Sequence, residues 1–125
     1  MPPSASSSRS APAVRDDAPA PAPAPALASD DLVAAARAGD VQAWAQLYQE
    51  HFDRVYRRLC FMVGRSTDAE DLTQETFARA VVGLAGFDGR SSFATWVRGI
   101  ATNVARNFLR AKDTRRRAEE RLAEL

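Results

Sequence analysis

The stretch S-T-D-A-E-D-L-T-Q-E-T-F-A-R-A-V-V-G-L-A-G-F-D-G-R-S-S-F-A-T-W-V-R-G-I-A-T-N-V-A-R-N-F-L-R-A-K-D-T-R-R-R, residues 66–117, decides the fold. It reads as an acidic helix, a short glycine-bracketed loop, and a second helix with aromatics first and arginines later. Residues 66–88 hold five acids and one base, whereas residues 98–117 hold seven bases and one acid. The chain as a whole carries only +1. Charge divided this sharply between neighbouring segments makes two surfaces, one suited to a basic partner and one to a polyanion.

Working outward, the spacing predicts four helices. Thr67-Asp-Ala-Glu70 reads as a capping box that starts the acidic helix, which runs to about Leu84. Leu72, Thr76, Phe77, Ala80, Val81 and Leu84 make its apolar stripe, with Asp71, Gln74, Glu75 and Ala78 on the other side. Gly83, Gly86 and Gly89 then break the pattern, and Ser91 or Ser92 caps the last helix. Its stripe is Phe93, Trp96, Val97, Ile100, Val104 and Phe108. Upstream, Ser29 or Asp30 caps a short helix through Arg37, ended by Gly39. Asp40 caps the next, whose apolar residues Trp44, Leu47, Tyr48, Phe52, Val55, Tyr56, Leu59 and Met62 recur every three to four positions before Gly64 stops it. No alternating strand pattern occurs. The expected fold is an all-α compact bundle of about four helices over residues 29–112, followed by a charged linker or helix extension at 113–125.

All seven prolines precede residue 26 and all six glycines follow residue 38, which separates a tail from a fold. Residues 1–28 are nearly all Ala, Pro and Ser, a composition expected to stay disordered because it cannot bury enough apolar area to offset its ordering entropy. The tail lacks the basic start and apolar run of a secretory signal, and no segment approaches the length of a membrane span, so membrane insertion is not expected. Cys60 is the only cysteine, which excludes an intrachain disulfide and fits a reducing, cytoplasmic setting. It falls in an apolar helical pattern and reads as a small buried hydrophobe.

Catalysis finds no foothold. One histidine, His51, and one cysteine cannot build a metal site, and with no strands there is no phosphate loop. The acids of residues 68–75 have no base or nucleophile beside them. No cofactor, metal or enzymatic activity is expected.

Three features carry binding chemistry instead. Asp68, Glu70 and Asp71 sit where a helix dipole favours acids, but Asp71, Gln74 and Glu75 also project together at i, i+3, i+4 and make a docking surface for an arginine-rich helix. Phe87 lies between two glycines; it either tucks into the core or, exposed near arginines, holds an unstacked base. On the last helix Arg98, Arg106, Arg110, Lys112 and Arg115–Arg117 offer phosphate partners, and Thr95, Arg98, Thr102 and Arg106 share one exposed side. Asn103 and Asn107 either satisfy backbone groups in a half-buried seam or, at Asn103, present a donor and an acceptor to a base edge.

Three blocks then fall in order: A-E-D-L-T-Q-E-T-F (69–77), F-D-G-R-S-S-F-A-T-W (87–96) and I-A-T-N-V-A-R-N-F-L-R (100–110). Together they resemble region 2 of bacterial RNA polymerase sigma factors of the extracytoplasmic-function (ECF) group, and D-L-V-A-A-A-R-A-G-D-V-Q-A-W-A-Q-L-Y (31–48) resembles the start of that region. The resemblance implies that Asp71, Leu72, Gln74, Glu75 and Phe77 dock on the β′ clamp helices of core RNA polymerase. It implies that Phe87 and its neighbours Arg90, Ser91 and Ser92 hold a base flipped from the single-stranded non-template strand of the promoter −10 element. The last helix, with Thr95, Trp96 and Thr102, is then expected to read and melt that element, Asn103 contributing to the flipped-base pocket and Arg98, Arg106 and Arg110 contacting the backbone. Such a chain is a specificity subunit rather than an enzyme, cytoplasmic and nucleoid-associated when bound to polymerase, with an anti-sigma factor as a further partner. Nothing here resembles region 4, the family's reader of the −35 element. The alternative is a region 2 remnant acting only as a polymerase or anti-sigma binding module.

Overall fold

The computed structural model describes residues 29–125, and the Pro/Ala-rich tail falls outside them. Four α-helices follow one another: α1 (Ser29–Arg37), α2 (Val41–Val63), α3 (Ser66–Gly83) and α4 (Phe93–Ala123), with a single 3₁₀ turn at Leu84–Gly86. The described residues contain no strand. The all-α expectation holds.

The α1–α2 corner is built as the sequence reads. Gly39 takes φ 101°, its amide donates to Ala36 O at 3.0 Å, and the Asp40 amide donates to Ala35 O at 3.0 Å. These two bonds form a Schellman closure, which needs a residue in the left-handed region and therefore favours glycine. Asp40 then opens α2, its carboxylate accepting from the amides of Gln42 and Ala43 at 3.0 and 3.2 Å. One residue thus ends one helix and starts the next.

The expected capping box at Thr67–Glu70 does not form. Helix α3 begins at Ser66, two residues earlier than a Thr67 cap would set it, after Arg65, whose side chain makes no capping hydrogen bond. Thr67 is already inside the first turn, so its hydroxyl is not at the capping position. Gly83 is likewise the last residue of α3 rather than a break; its bare Cα faces the Trp96 ring, which a Cβ would meet at 3.7 Å. Val81, assigned above to the apolar stripe, is exposed, because the stripe turns inward instead through Ala69, Thr73, Thr76 and Ala80. The two buried threonines donate back along the helix, Thr73 Oγ1 to Ala69 O and Thr76 Oγ1 to Leu72 O, both at 2.7 Å. Their hydroxyls are satisfied without leaving the core, and their methyl groups pack.

Between the helices lies a core of Leu32, Leu47, Leu59, Phe93, Val97 and Val104, each nearly inaccessible to water. Aromatic edges stitch it together: Trp44 meets both Phe77 and Phe93 at 6.3 Å, and Tyr48 meets Phe77 at 4.8 Å. Ala101 and Ala105 are fully buried on α4, which lets that helix approach its neighbours closely. Helices α2 and α4 run in the same general direction, since His51 packs on Phe93 at 5.0 Å while Arg58 reaches Thr102 at 3.3 Å. Cys60 is half-buried rather than fully enclosed. A hydrogen bond with this thiol, aided by partial desolvation, pushes the Tyr56 phenol above its ordinary value.

Beyond the bundle, α4 does not give way to a linker. It continues through the charged segment to Ala123. Intrahelical ion pairs supply local support there: Arg116 to Asp113 at 2.6 Å, Arg116 to Glu120 at 2.8 Å and Arg117 to Asp113 at 3.1 Å. Among the described residues no helix is long and apolar enough to cross a membrane.

Candidate nucleic-acid and protein interfaces

The acidic residues of α3 form an outward face. Asp71, Gln74 and Glu75 are exposed, as the i, i+3, i+4 spacing requires. Gln74 Nε2 donates to the Tyr48 hydroxyl at 3.0 Å, and Glu75 pairs with Arg79 at 2.7 Å. Asp71 is left as the carboxylate without a described partner on this face. Leu72 and Phe77 do not belong to the surface: they are 5% and 3% exposed and point into the core. Their part is to hold the helix at its angle, and a partner would meet only the polar residues between them. Helical periodicity carries the reason, since positions 72 and 76–77 fall on the side opposite 71, 74 and 75.

The loop after α3 departs from one of its two readings. Phe87 is 6% exposed, packed against Trp96 at 4.9 Å and Phe93 at 6.4 Å. In this conformation it caps the core and offers no ring face to a base. The glycines around it permit the inward turn, with Gly89 at φ 77°. Trp96 is half-buried under Phe87 for the same reason. What the loop does expose is polar. Arg90 pairs with Asp88 at 3.1 Å, and the Ser91 hydroxyl donates to Ser92 O at 3.3 Å. Of the two serines proposed as the cap, Ser92 fills the role: its hydroxyl accepts from the Thr95 amide and donates to Thr95 Oγ1, both at 3.1 Å.

On α4 one residue of the expected exposed side, Thr102, is drawn inward. Arg98, Asn103, Arg106 and Arg110 are exposed, and Thr102 is half-buried between α4 and α2. Thr102 Oγ1 donates to Arg98 O at 3.0 Å and accepts from Arg58 Nε at 3.3 Å. Asn103 is therefore not in a half-buried seam. Its amide makes none of the described hydrogen bonds, so both its donor and its acceptor are available. Asn107 accepts from Arg110 Nη2 at 2.6 Å, which orients that guanidinium along the helix. Arg54 and Arg58 of α2 stand beside Arg98 and were missed by the sequence reading; the signal was an R-x-x-R-R run on an exposed helix face, Arg54, Arg57 and Arg58. Among the described residues no cluster of metal-ligating side chains occurs.

An all-α domain with an acidic helix face and a separate basic helix face now has known counterparts. The family Sigma-70 region 2 matches residues 47–115. The ECF RNA polymerase sigma factor BldN of Streptomyces coelicolor is 39% identical over 83 residues, covering 65% of this chain and 31% of that protein. SigW of Bacillus subtilis, another ECF sigma factor, is 37% identical over 81 residues, covering 64% and 43%. The ECF sigma-E factor of Haemophilus influenzae is 36% identical over 98 residues, covering 78% and 51%. The chain therefore spans about half or less of the length of these relatives. Among solved structures, an engineered region 2 of sigmaE in complex with GTAAAA, determined by NMR, matches with a TM-score of 0.66 and 34% identity, over 71% of this chain and 93% of that one. The chain belongs to the sigma-70 region 2 family, in its extracytoplasmic-function group.

Proposed function

We propose that this domain acts in transcription initiation as the region 2 of a sigma factor, docking on core RNA polymerase through α3 and engaging the −10 element through α4. The observation that carries the reading is the division of the surface. Asp71, Gln74 and Glu75 are exposed on α3, and Arg98, Asn103, Arg106 and Arg110 are exposed on α4. One helix suits the basic face of a polymerase clamp helix, the other the sugar-phosphate backbone and base edges of an unpaired strand. The likeness to a region 2 solved with GTAAAA supports a single strand as the nucleic acid. Melting of the duplex then draws on binding energy for the unpaired strand to offset the stacking that is lost. The protein breaks no covalent bond, and its action is cytoplasmic, with the polymerase.

The deciding experiment is a pair of titrations of the whole chain. One uses a β′ clamp-helix fragment and the other a single-stranded −10 oligonucleotide against its duplex. Charge reversal on α3 should weaken only the first, and Asn103→Ala only the second. If the duplex binds as well as the single strand, the −10 reading is wrong and a nonspecific basic patch remains.

A further inference from the structure

A notch of about 150 Å³ opens between α2 and α4, and of the residues lining it the family resemblance assigned only Arg98. Arg54 and Arg58 from α2 and Arg98 from α4 surround it, over a floor of Val55, Val97 and His51. Three guanidiniums thus converge on one small hollow. Among the described residues none of the three is paired with a carboxylate, whereas Arg65, Arg79, Arg90, Arg116 and Arg117 all are. Converging like charges without a counter-ion raise the local positive potential, and the apolar floor keeps it from being screened as fully as on an open surface.

The groups are also held in position. Arg58 spends one N–H on Thr102 Oγ1, which fixes its stem across the helix gap and leaves its other donors free. His51 is 6% exposed, and its Nδ1–H donates to Leu47 O at 2.9 Å. That bond sets the ring and leaves Nε2 without a described hydrogen bond. The volume is well below the roughly 300–1,000 Å³ of pockets that enclose whole small molecules, so the occupant is a single small anionic group. Planar forks from two helices suit a tetrahedral oxyanion, whose oxygens accept from several directions at once.

We propose that this notch is a seat for one phosphate group, held by Arg54 and Arg58 of α2 together with Arg98 of α4. As a backbone phosphate of the bound strand, it would rest on the single-strand reading above and would extend the nucleic-acid face from α4 onto α2. As a free phosphate anion, it stands without that reading.

Two arms of one NMR experiment on the whole chain separate the sources. The first titrates a GTAAAA single strand, and then a series in which each phosphate in turn is a neutral methylphosphonate, into the native chain and into the double variant Arg54→Ala, Arg58→Ala. Both arginines are exposed, so amide spectra away from the notch should be unchanged. The variant should bind about tenfold more weakly. At one position the methylphosphonate should cost the native chain about the same and cost the variant nothing further. The second arm titrates inorganic phosphate against chloride at equal ionic strength and follows the Val55 and Val97 amides.

A single non-additive position identifies the strand phosphate. Phosphate-specific shifts that vanish in the variant, with no such position, identify a free anion. If every position is additive and phosphate acts only as chloride does, the seat does not exist. A native chain that binds no strand at all would overturn the single-strand reading, and the phosphate arm alone would then decide the notch.

Discussion

Gln74 Nε2 and the Tyr48 hydroxyl are joined by a 3.0 Å hydrogen bond that ties the outer face of α3 to α2. The glutamine of the acidic face is therefore already engaged within the domain. Tyr48→Phe keeps the ring that packs on Phe77 and removes only the hydroxyl. We expect a loss of about 0.5 kcal/mol in urea unfolding, the low end for a partly exposed hydrogen bond. Affinity for a β′ clamp-helix fragment should change less than twofold. A tenfold loss would mean that the tyrosine fixes the glutamine for binding.

Asp71 and Glu75 should behave differently. Reversing both charges should leave unfolding within about 0.5 kcal/mol, as exposed positions usually do, and lower the affinity for the clamp-helix fragment at least tenfold. Arg79→Ala releases Glu75 from its 2.7 Å ion pair. Stability should fall by no more than about 0.5 kcal/mol, the value of such i, i+4 pairs, and binding to a basic partner should hold or rise. Urea unfolding reads the first and calorimetric titration the second.

Phe87→Ala is expected to act on the fold. The ring is buried between Phe93 and Trp96, and emptying such a site costs about 3–5 kcal/mol. A small domain has about 5–15 kcal/mol in total, so the midpoint of unfolding should drop sharply. A variant that unfolds like the native chain and loses only base discrimination would restore the exposed reading of this residue.

Asn103→Ala should fold normally and reduce discrimination between a −10 strand and a scrambled one. Arg106→Ala and Arg110→Ala should weaken both strands alike, lowering the salt dependence by about 0.7 per lost contact on single-stranded DNA. Anisotropy titrations at several salt concentrations would expose the split. Equal loss of discrimination in all three variants would argue against base reading by the asparagine.

The charged end of α4 should respond to acid. The hydrogen bond from Arg116, reinforced by the charges of Arg117 and Arg116, holds the Asp113 carboxyl below its ordinary value. A depressed carboxyl favours the helix above its unfolded pKa of about 3.9, and that support is lost as pH falls through the lower folded value. Amide chemical shifts of residues 112–123 should therefore move toward coil at the acid end while the bundle holds. Asp113→Asn should show the same loosening at neutral pH.

Much of the architecture was legible because it rests on local rules. Asp40, Gly39 and Gly64 announce helix ends through capping and left-handed backbone, and the three-to-four spacing from Trp44 to Met62 is a helix wherever it occurs. Errors arose where a local rule had two solutions. Thr67 and Glu70 have capping-box spacing, but α3 starts two residues earlier, and no propensity argument separates the two registers. Phe87 between glycines can turn either way; Trp96 and Phe93, a few residues later, supply the surface that draws it in. Leu72 and Phe77 share a motif with Asp71, Gln74 and Glu75, but their side chains face the opposite way from those polar members. The Arg54–Arg58–Arg98 notch was invisible because it joins residues some forty positions apart, and only the packing of α2 on α4 brings them together.

Trp96 lies half-buried beneath Phe87, at the hinge between the loop and α4, while Trp44 lies on α2 against Phe77 and Phe93. The molecule thus carries its own optical gauge. With Trp44 replaced by phenylalanine, the emission of the remaining indole depends on whether Phe87 covers it. Any swing of the loop away from the bundle, for instance to open a place for a base, would wet that ring and shift its fluorescence to longer wavelength. The timing of such an opening could then be followed in stopped flow without attaching a dye to the protein.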